Sequence, residues 1–478
     1  MNIYFAKYFY GFAGLNKYAY FNIACIIFAI LFGYAVIIFN PIILVGGLLV
    51  ILLAPLSIAF PNILGWAVLV LSFGLVPFVP IDFRVFSELV VYSGIMLVAI
   101  KYLVGERDFA KIILPLKWPL LAFLAAWLIA LFIGYIQKRY VFAGADARRY
   151  MGLLAIPLFA LIEFRKTGTV QRLVIWTALW AAIMLVVQFG TGLRVFGGVK
   201  GFMEGGVGKG FEDVARGSAE GGNYLVVFAL YYCFLSYALN FMRHRKLWFF
   251  LGIILCFFAI VAIFSRGLWA GVFLGGVSIL IFARGYRIKI AMAAGRGFVL
   301  LSLLLIALYP VATKHFDSAY DRVFSIEVEG GRGTSLGARF DENSQALTVI
   351  KSNYLFGLGH GGEYKRFTPQ VQRGFVNEAT FIHNSYLWVA LKLGLIGVAA
   401  VAGLIFVYMK LAIKGLSPDV TMNDNINSLA AIGVLVVFMV NGLTSPVWAQ
   451  FSDLVSFSII LVMLSSSSIK GLFAGKSQ

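Results

Sequence analysis

Only four histidines occur in the 478 residues, and one of them, His383, stands with Asn384 at the head of an apolar run, "FIHNSYLWVALKLGLIG" (381–397). A neutral imidazole, with an ordinary pKa of about 6.5, can take a proton near neutral pH, so His383 is a candidate general base. The structural alternative is an interfacial histidine that satisfies backbone groups at a helix start, with Asn384 as the cap. Arginine is the second chemical group: Arg148 and Arg149 in "QKRYVFAGADARRY", Arg216 in "GFEDVARGSAEGGNY", Arg266 in "FSRGLWAG" and Arg339 in "GARFDENSQAL". Guanidinium forks donate paired hydrogen bonds and keep their charge, which suits a phosphate or diphosphate. Lys138 and Arg139 are read as snorkelling cations or partners of a nearby acid.

The elements that must position these groups are membrane helices. The chain is 61% hydrophobic and 13% charged, with mean hydropathy +0.92, against about 25% charged residues in a soluble domain. Apolar runs of membrane-spanning length fall near 19–39, 41–60, 62–80, 85–100, 117–136, 149–163, 173–191, 223–241, 247–264, 267–283, 297–312, 382–412, 427–443 and 451–468. The expected fold is all-α, a polytopic membrane protein of about 12–14 spans. It divides into N-terminal helices (1–312), one large helical loop (313–381) and C-terminal helices (382–478), forming a single membrane-embedded domain. Continuous Leu/Ile/Val/Phe runs favour helices over the short alternating strands of a β-barrel.

Basic segments at 101–111, 163–172, 243–246 and 283–296 fall on one side with both termini, which makes that side cytoplasmic. The connections 137–148, 192–222 and 313–381 then face outward, and the candidate arginines and His383 with them. The first apolar run is expected to be retained rather than cleaved. The formal charge of +18 is spread over membrane connections, so nucleic acid is not an expected partner. "GGVGKG" (205–210) lacks the first glycine and the Ser/Thr of a phosphate-binding loop. The histidines lack zinc spacing. Acids of the long loop, such as Asp341 with Glu342 and Asp317 with Asp321, are read as a solvated mixed-charge surface. Cys25, Cys233 and Cys256 lie in expected spans as buried thiols.

Four stretches together resemble the O-antigen ligase and polymerase superfamily, bacterial enzymes that assemble surface polysaccharides. They are "ARGSAEGGNYLVVFAL" with Arg216 and Asn223, "FSRGLWAGVFLG" with Arg266, "GARFDENSQALTVIKSNYLFGLGHG" with Arg339, and "HNSYLWVALKLGLIG" with His383. They stand in the family's order over roughly residues 200 to 415. One departure is that Lys392 and Leu393 stand where the family often has an acid before Gly-Leu-Ile-Gly.

The resemblance implies a GT-C-like glycosyltransferase working on the periplasmic face. Its donor would be a polyprenyl-diphosphate-linked oligosaccharide and its acceptor a sugar hydroxyl; membrane lipids, a flippase and a chain-length regulator would be its other partners. His383 would be the base. Arg266, Arg216 and Arg339, helped by Arg148 and Arg149, would hold the diphosphate, and Asn384, Asn223 and His360 would contact substrate. No cofactor or metal is required in principle, because arginine supplies the positive charge. A polymerase is preferred to a ligase. The readings of another class are a flippase for lipid-linked glycans, which would carry more ionisable groups at mid-membrane depth, and a scaffold without chemistry.

Overall fold

The computed structural model describes residues 61–73, 108–191, 222–263, 265–300, 335–366, 376–379 and 382–474, with isolated residues between 91 and 105 and at 302. The expected spans 19–39 and 41–60 and most of 85–100 and 297–312 lie outside the described residues. So do Cys25, Arg216, loop residues 313–334, and all but the last residue of the glycine-rich stretch 197–222. The described chain is helical: α1 (Pro61–Ser72), α2 (Lys117–Ile136), α3 (Tyr140–Arg149), α4 (Ala155–Arg165), α5 (Thr169–Thr191), α6 (Gly222–Ala238), α7 (Lys246–Ala262), α8 (Arg266–Phe282), α9 (Ser335–Ser352), α10 (Ser385–Lys414), α11 (Met422–Gly442) and α12 (Phe451–Ala474). The long loop adds a short antiparallel ladder, β1 (Tyr364–Arg366) with β2 (Val376–Ala379), so it is not purely helical as expected.

Helices of this length and composition follow from the bilayer, which offers backbone groups no partner outside the segment. Among the described residues five stretches are long and apolar enough to cross: Ala110–Ile136, Thr169–Phe189, Arg243–Ala262, Ser385–Lys414 and Met422–Gly442. A sixth is counted if α8 is joined to Arg284–Leu300 across a 95° bend. Asn62–Ser72, Gly222–Ala238 and Phe451–Ser467 are apolar but shorter. The protein is a multi-pass membrane protein. One expected span is not a single helix: α3 ends at Arg149, a 3-10 turn covers Tyr150–Leu154, and α4 starts at Ala155. Here Gly152 is pressed against α12, where a Cβ would lie 2.3 Å from the Phe451 carbonyl oxygen.

Most of α11 is buried, and α8 lies on it through three glycines spaced by four. A Cβ on Gly267 would lie 2.5 Å from Thr444 Oγ1, on Gly271 3.0 Å from Val437 Cα, and on Gly275 2.7 Å from the Gly433 carbonyl oxygen. Such small-residue stripes let backbones approach closely where lipid gives no hydrophobic drive. This seam fixes where Arg266, the first residue of α8, must sit.

The loop enters the bundle between α2 and α10. Its segment Gly357–Gly361 bends through left-handed glycines (φ 70°, 75° and 74° at Gly357, Gly359 and Gly361), a region that disfavours other residues. Gly394, at φ 62° and ψ −163°, interrupts α10. In an unbroken helix Leu395 N–H would donate to the Leu391 carbonyl. Instead Leu395 N donates to Tyr354 O (2.8 Å), and Leu391 O accepts from Leu358 N (2.7 Å). The loop thus supplies the partners that the broken helix lacks, and His360 N donates to Ala130 O of α2 at 2.9 Å.

A buried ion pair closes this joint. Lys392 Nζ of α10 lies 2.7 Å from Asp146 Oδ2 of α3, with side chains 0% and 3% exposed. Lys392 also donates to Gly362 O (2.6 Å), while Asp146 Oδ2 accepts from Gly361 N (2.9 Å). Arg139 adds a bond to Gly361 O (3.3 Å) and lies 3.8 Å from Glu363, which confirms an acid as its partner.

Stranding one member of a buried pair costs about 3–5 kcal/mol. Lys392→Met and Asp146→Asn should each lower the thermal midpoint in detergent markedly. The double variant should be less unstable than the sum of the two singles, and simple additivity would contradict the pairing. Gly271→Ile should separate α8 from α11 and cost stability by overpacking, about 1–3 kcal/mol or more, read in the same melts.

Candidate functional site

The local structure at His383 begins with its neighbours. Asn384, in an extended conformation, caps α10: its side-chain oxygen accepts from Tyr386 N (3.0 Å) and Leu387 N (3.2 Å). Ser385 Oγ donates to Ser445 O (2.7 Å) and accepts from Trp448 N (3.2 Å), and Tyr386 OH donates to Met439 O (2.9 Å). The chain around His383 is therefore pinned to the last turn of α11 and the segment after it. The structural reading of Asn384 is the one its hydrogen bonds serve.

His383 itself stays 37% exposed. Its Nδ1 lies 2.9 Å from Glu342 Oε2 on α9, and the same oxygen accepts the His383 backbone N–H at 3.4 Å. Glu342 is wholly buried, which corrects its reading as part of a solvated surface. The residues around it on α9 (Asp341, Asn343, Ser344) are polar, so composition could not show which face packs inward.

The same end of α11 collects other candidates. Gly267, next to Arg266, faces Thr444 and Asn441, and Asn441 Nδ2 donates to the hydroxyl of Tyr224, next to Asn223 (2.7 Å). The first turns of α6, α8 and α10 thus all touch the last turn of α11 and the residues just after it. Arg266 and Asn223 are half-buried there. Arg149, also half-buried, places its guanidinium 5.1 Å from the ring of Trp388, one turn into α10. Arg339 is half-buried one turn before Glu342 on α9, and Arg148 is exposed at the end of α3.

His360 lies on the turn that enters the bundle between α2 and α10. It is fully buried, its ring 6.1 Å from that of Trp127 and 5.5 Å from that of Tyr150. The glycines around it make a turn that packs against α2 and α10. Burial, and after it the Lys392 cation, lowers its pKa to about 3. Lys392 and Asp146 were missed as a pair. The signal was an ionisable residue within an apolar helix, which in a membrane calls for a partner.

The depressed pKa of His360 carries a pH dependence. The folded chain refuses a proton that the unfolded chain binds below about pH 6.5, so His360 withdraws stability as pH falls from there toward about 3. His360→Phe should flatten the fall of the thermal midpoint between about pH 7 and pH 5. An unchanged slope would contradict this assignment.

Residues 251–402 match the family model described as O-Antigen ligase. An uncharacterized protein of Haemophilus influenzae is 27% identical over 198 residues, covering 39% of this chain and 47% of that protein. The chain thus spans about half the length of the curated relative it matches. The family segment runs from α7 into α10 and contains Arg266, Arg339, Glu342, His383 and the interrupted helix at Gly394. Over residues 251–402, about a third of its length, the chain is similar to the O-antigen ligase family.

Proposed function

We propose that the protein is a polysaccharide polymerase of the bacterial inner membrane, transferring a glycan from a polyprenyl diphosphate to a sugar hydroxyl on the periplasmic face. The alternative within the same chemistry is a ligase that delivers the glycan to lipid A-core or another acceptor. The observation that carries the reading is the gathering around the end of α11 of His383 and Arg266, both within the family segment, and of Asn223, which precedes it in the chain.

In this reaction His383 accepts the proton of the acceptor hydroxyl. The freed oxygen attacks the anomeric carbon as the bond to the diphosphate breaks, and that electron pair leaves with the diphosphate. A single displacement of this kind inverts the anomeric configuration. Negative charge growing on the leaving group is met by Arg266 and Arg339, with Arg216, Arg148 and Arg149 as further donors. The helix N-termini of α6, α8 and α10 add positive potential at the same end.

With purified protein and a lipid-linked oligosaccharide, His383→Ala and Arg266→Ala should each reduce transfer by on the order of 10²-fold or more. Both variants should still insert and let lipid-linked substrate accumulate; unchanged product from both would end the proposal. Glycans from a deletion strain separate the two acceptors: single repeat units mark a lost polymerase, unattached polymer a lost ligase.

A further inference from the structure

Glu342 and His383 lie 41 residues apart and on different parts of the fold, one on the loop helix α9 and the other at the head of α10. Yet a single carboxylate oxygen faces both the ring Nδ1 (2.9 Å) and the main-chain N–H (3.4 Å) of His383. With Oε2 already accepting the main-chain N–H, the arrangement is completed by a ring nitrogen that donates, which is the Nδ1–H tautomer. In that tautomer the lone pair is on Nε2, on the other side of a ring that is 37% exposed.

We infer that Glu342 is a positioning residue for the transfer reaction: it holds His383 as the Nδ1–H tautomer, with the Nε2 lone pair presented to the acceptor hydroxyl. The inference rests on the reading of His383 as the base. The acceptor proton passes to Nε2 while the acceptor oxygen bonds the anomeric carbon and the diphosphate departs with its electron pair. The imidazolium formed is balanced by the Glu342 carboxylate, then returns its proton to solvent. Because Glu342 is carried by the loop, the base is oriented only while α9 is seated, and the joint at Gly357–Gly362 keeps it there.

Four histidines make the tautomer directly measurable. In nanodiscs, protein labelled with 15N-histidine should show one ring with protonated Nδ1 and bare Nε2, assigned by its loss in His383→Gln. Glu342→Leu should abolish that tautomer preference and lower the transfer rate by on the order of 10²-fold or more with little change in donor KM. Glu342→Gln, which keeps the volume and an acceptor oxygen, should retain the tautomer, fall between wild type and Glu342→Leu in rate, and serve if the leucine variant does not fold. An Nε2–H tautomer in the wild type overturns the inference. So does a wild-type rate in Glu342→Leu, or in Glu342→Gln where only that variant folds. If His383→Ala is inactive while those Glu342 variants are not, this inference alone fails. If His383→Ala is active, the reading of the base fails instead.

Discussion

An ammonium and a carboxylate 2.7 Å apart, both withdrawn from solvent, hold the long loop against the helices. Neither charge is tolerable alone in such surroundings, so Lys392 and Asp146 demand each other. Their remaining capacity is taken up by the backbone at Gly361 and Gly362, which exists in that shape only because the glycines adopt left-handed conformations. The loop is thus seated by charge, and the seating places α9 beside the head of α10. Glu342 meets His383 as a consequence.

The break at Gly394 shows the same economy of polar groups. Interrupting a helix inside a membrane leaves an amide and a carbonyl without partners, which is tolerated only where protein covers them. Tyr354 and Leu358 do so here. The glycine seam between α8 and α11 solves a different problem, bringing two backbones close enough that Arg266 emerges at the edge of the last turn of α11. Loop, broken helix and seam converge on one end of the bundle.

Much of this was legible residue by residue. The expected span 117–136 coincides with α2, Lys117–Ile136, because a bilayer forces an apolar run to become one hydrogen-bonded helix. Cys233 and Cys256 are buried thiols, as their positions in such runs implied. The segment holding Arg266, Arg339 and His383 was recognisable as that of a family. The span at 149–163 misled because hydropathy does not register the close approach of Gly152 to α12. The burial of His360 was not legible, because glycines signal a turn without saying whether it faces solvent or protein.

The amino-acid sequence by itself determined that the chain lives in a membrane, which stretches form its long apolar helices, and which histidine and arginines are candidates for chemistry. These follow from local composition and length, read against the bilayer as solvent. Only the tertiary structure decided which charges meet. Lys392 with Asp146 and His383 with Glu342 are contacts between distant segments, and electrostatic pairing depends on separation in space and on burial, neither of which is written along the chain.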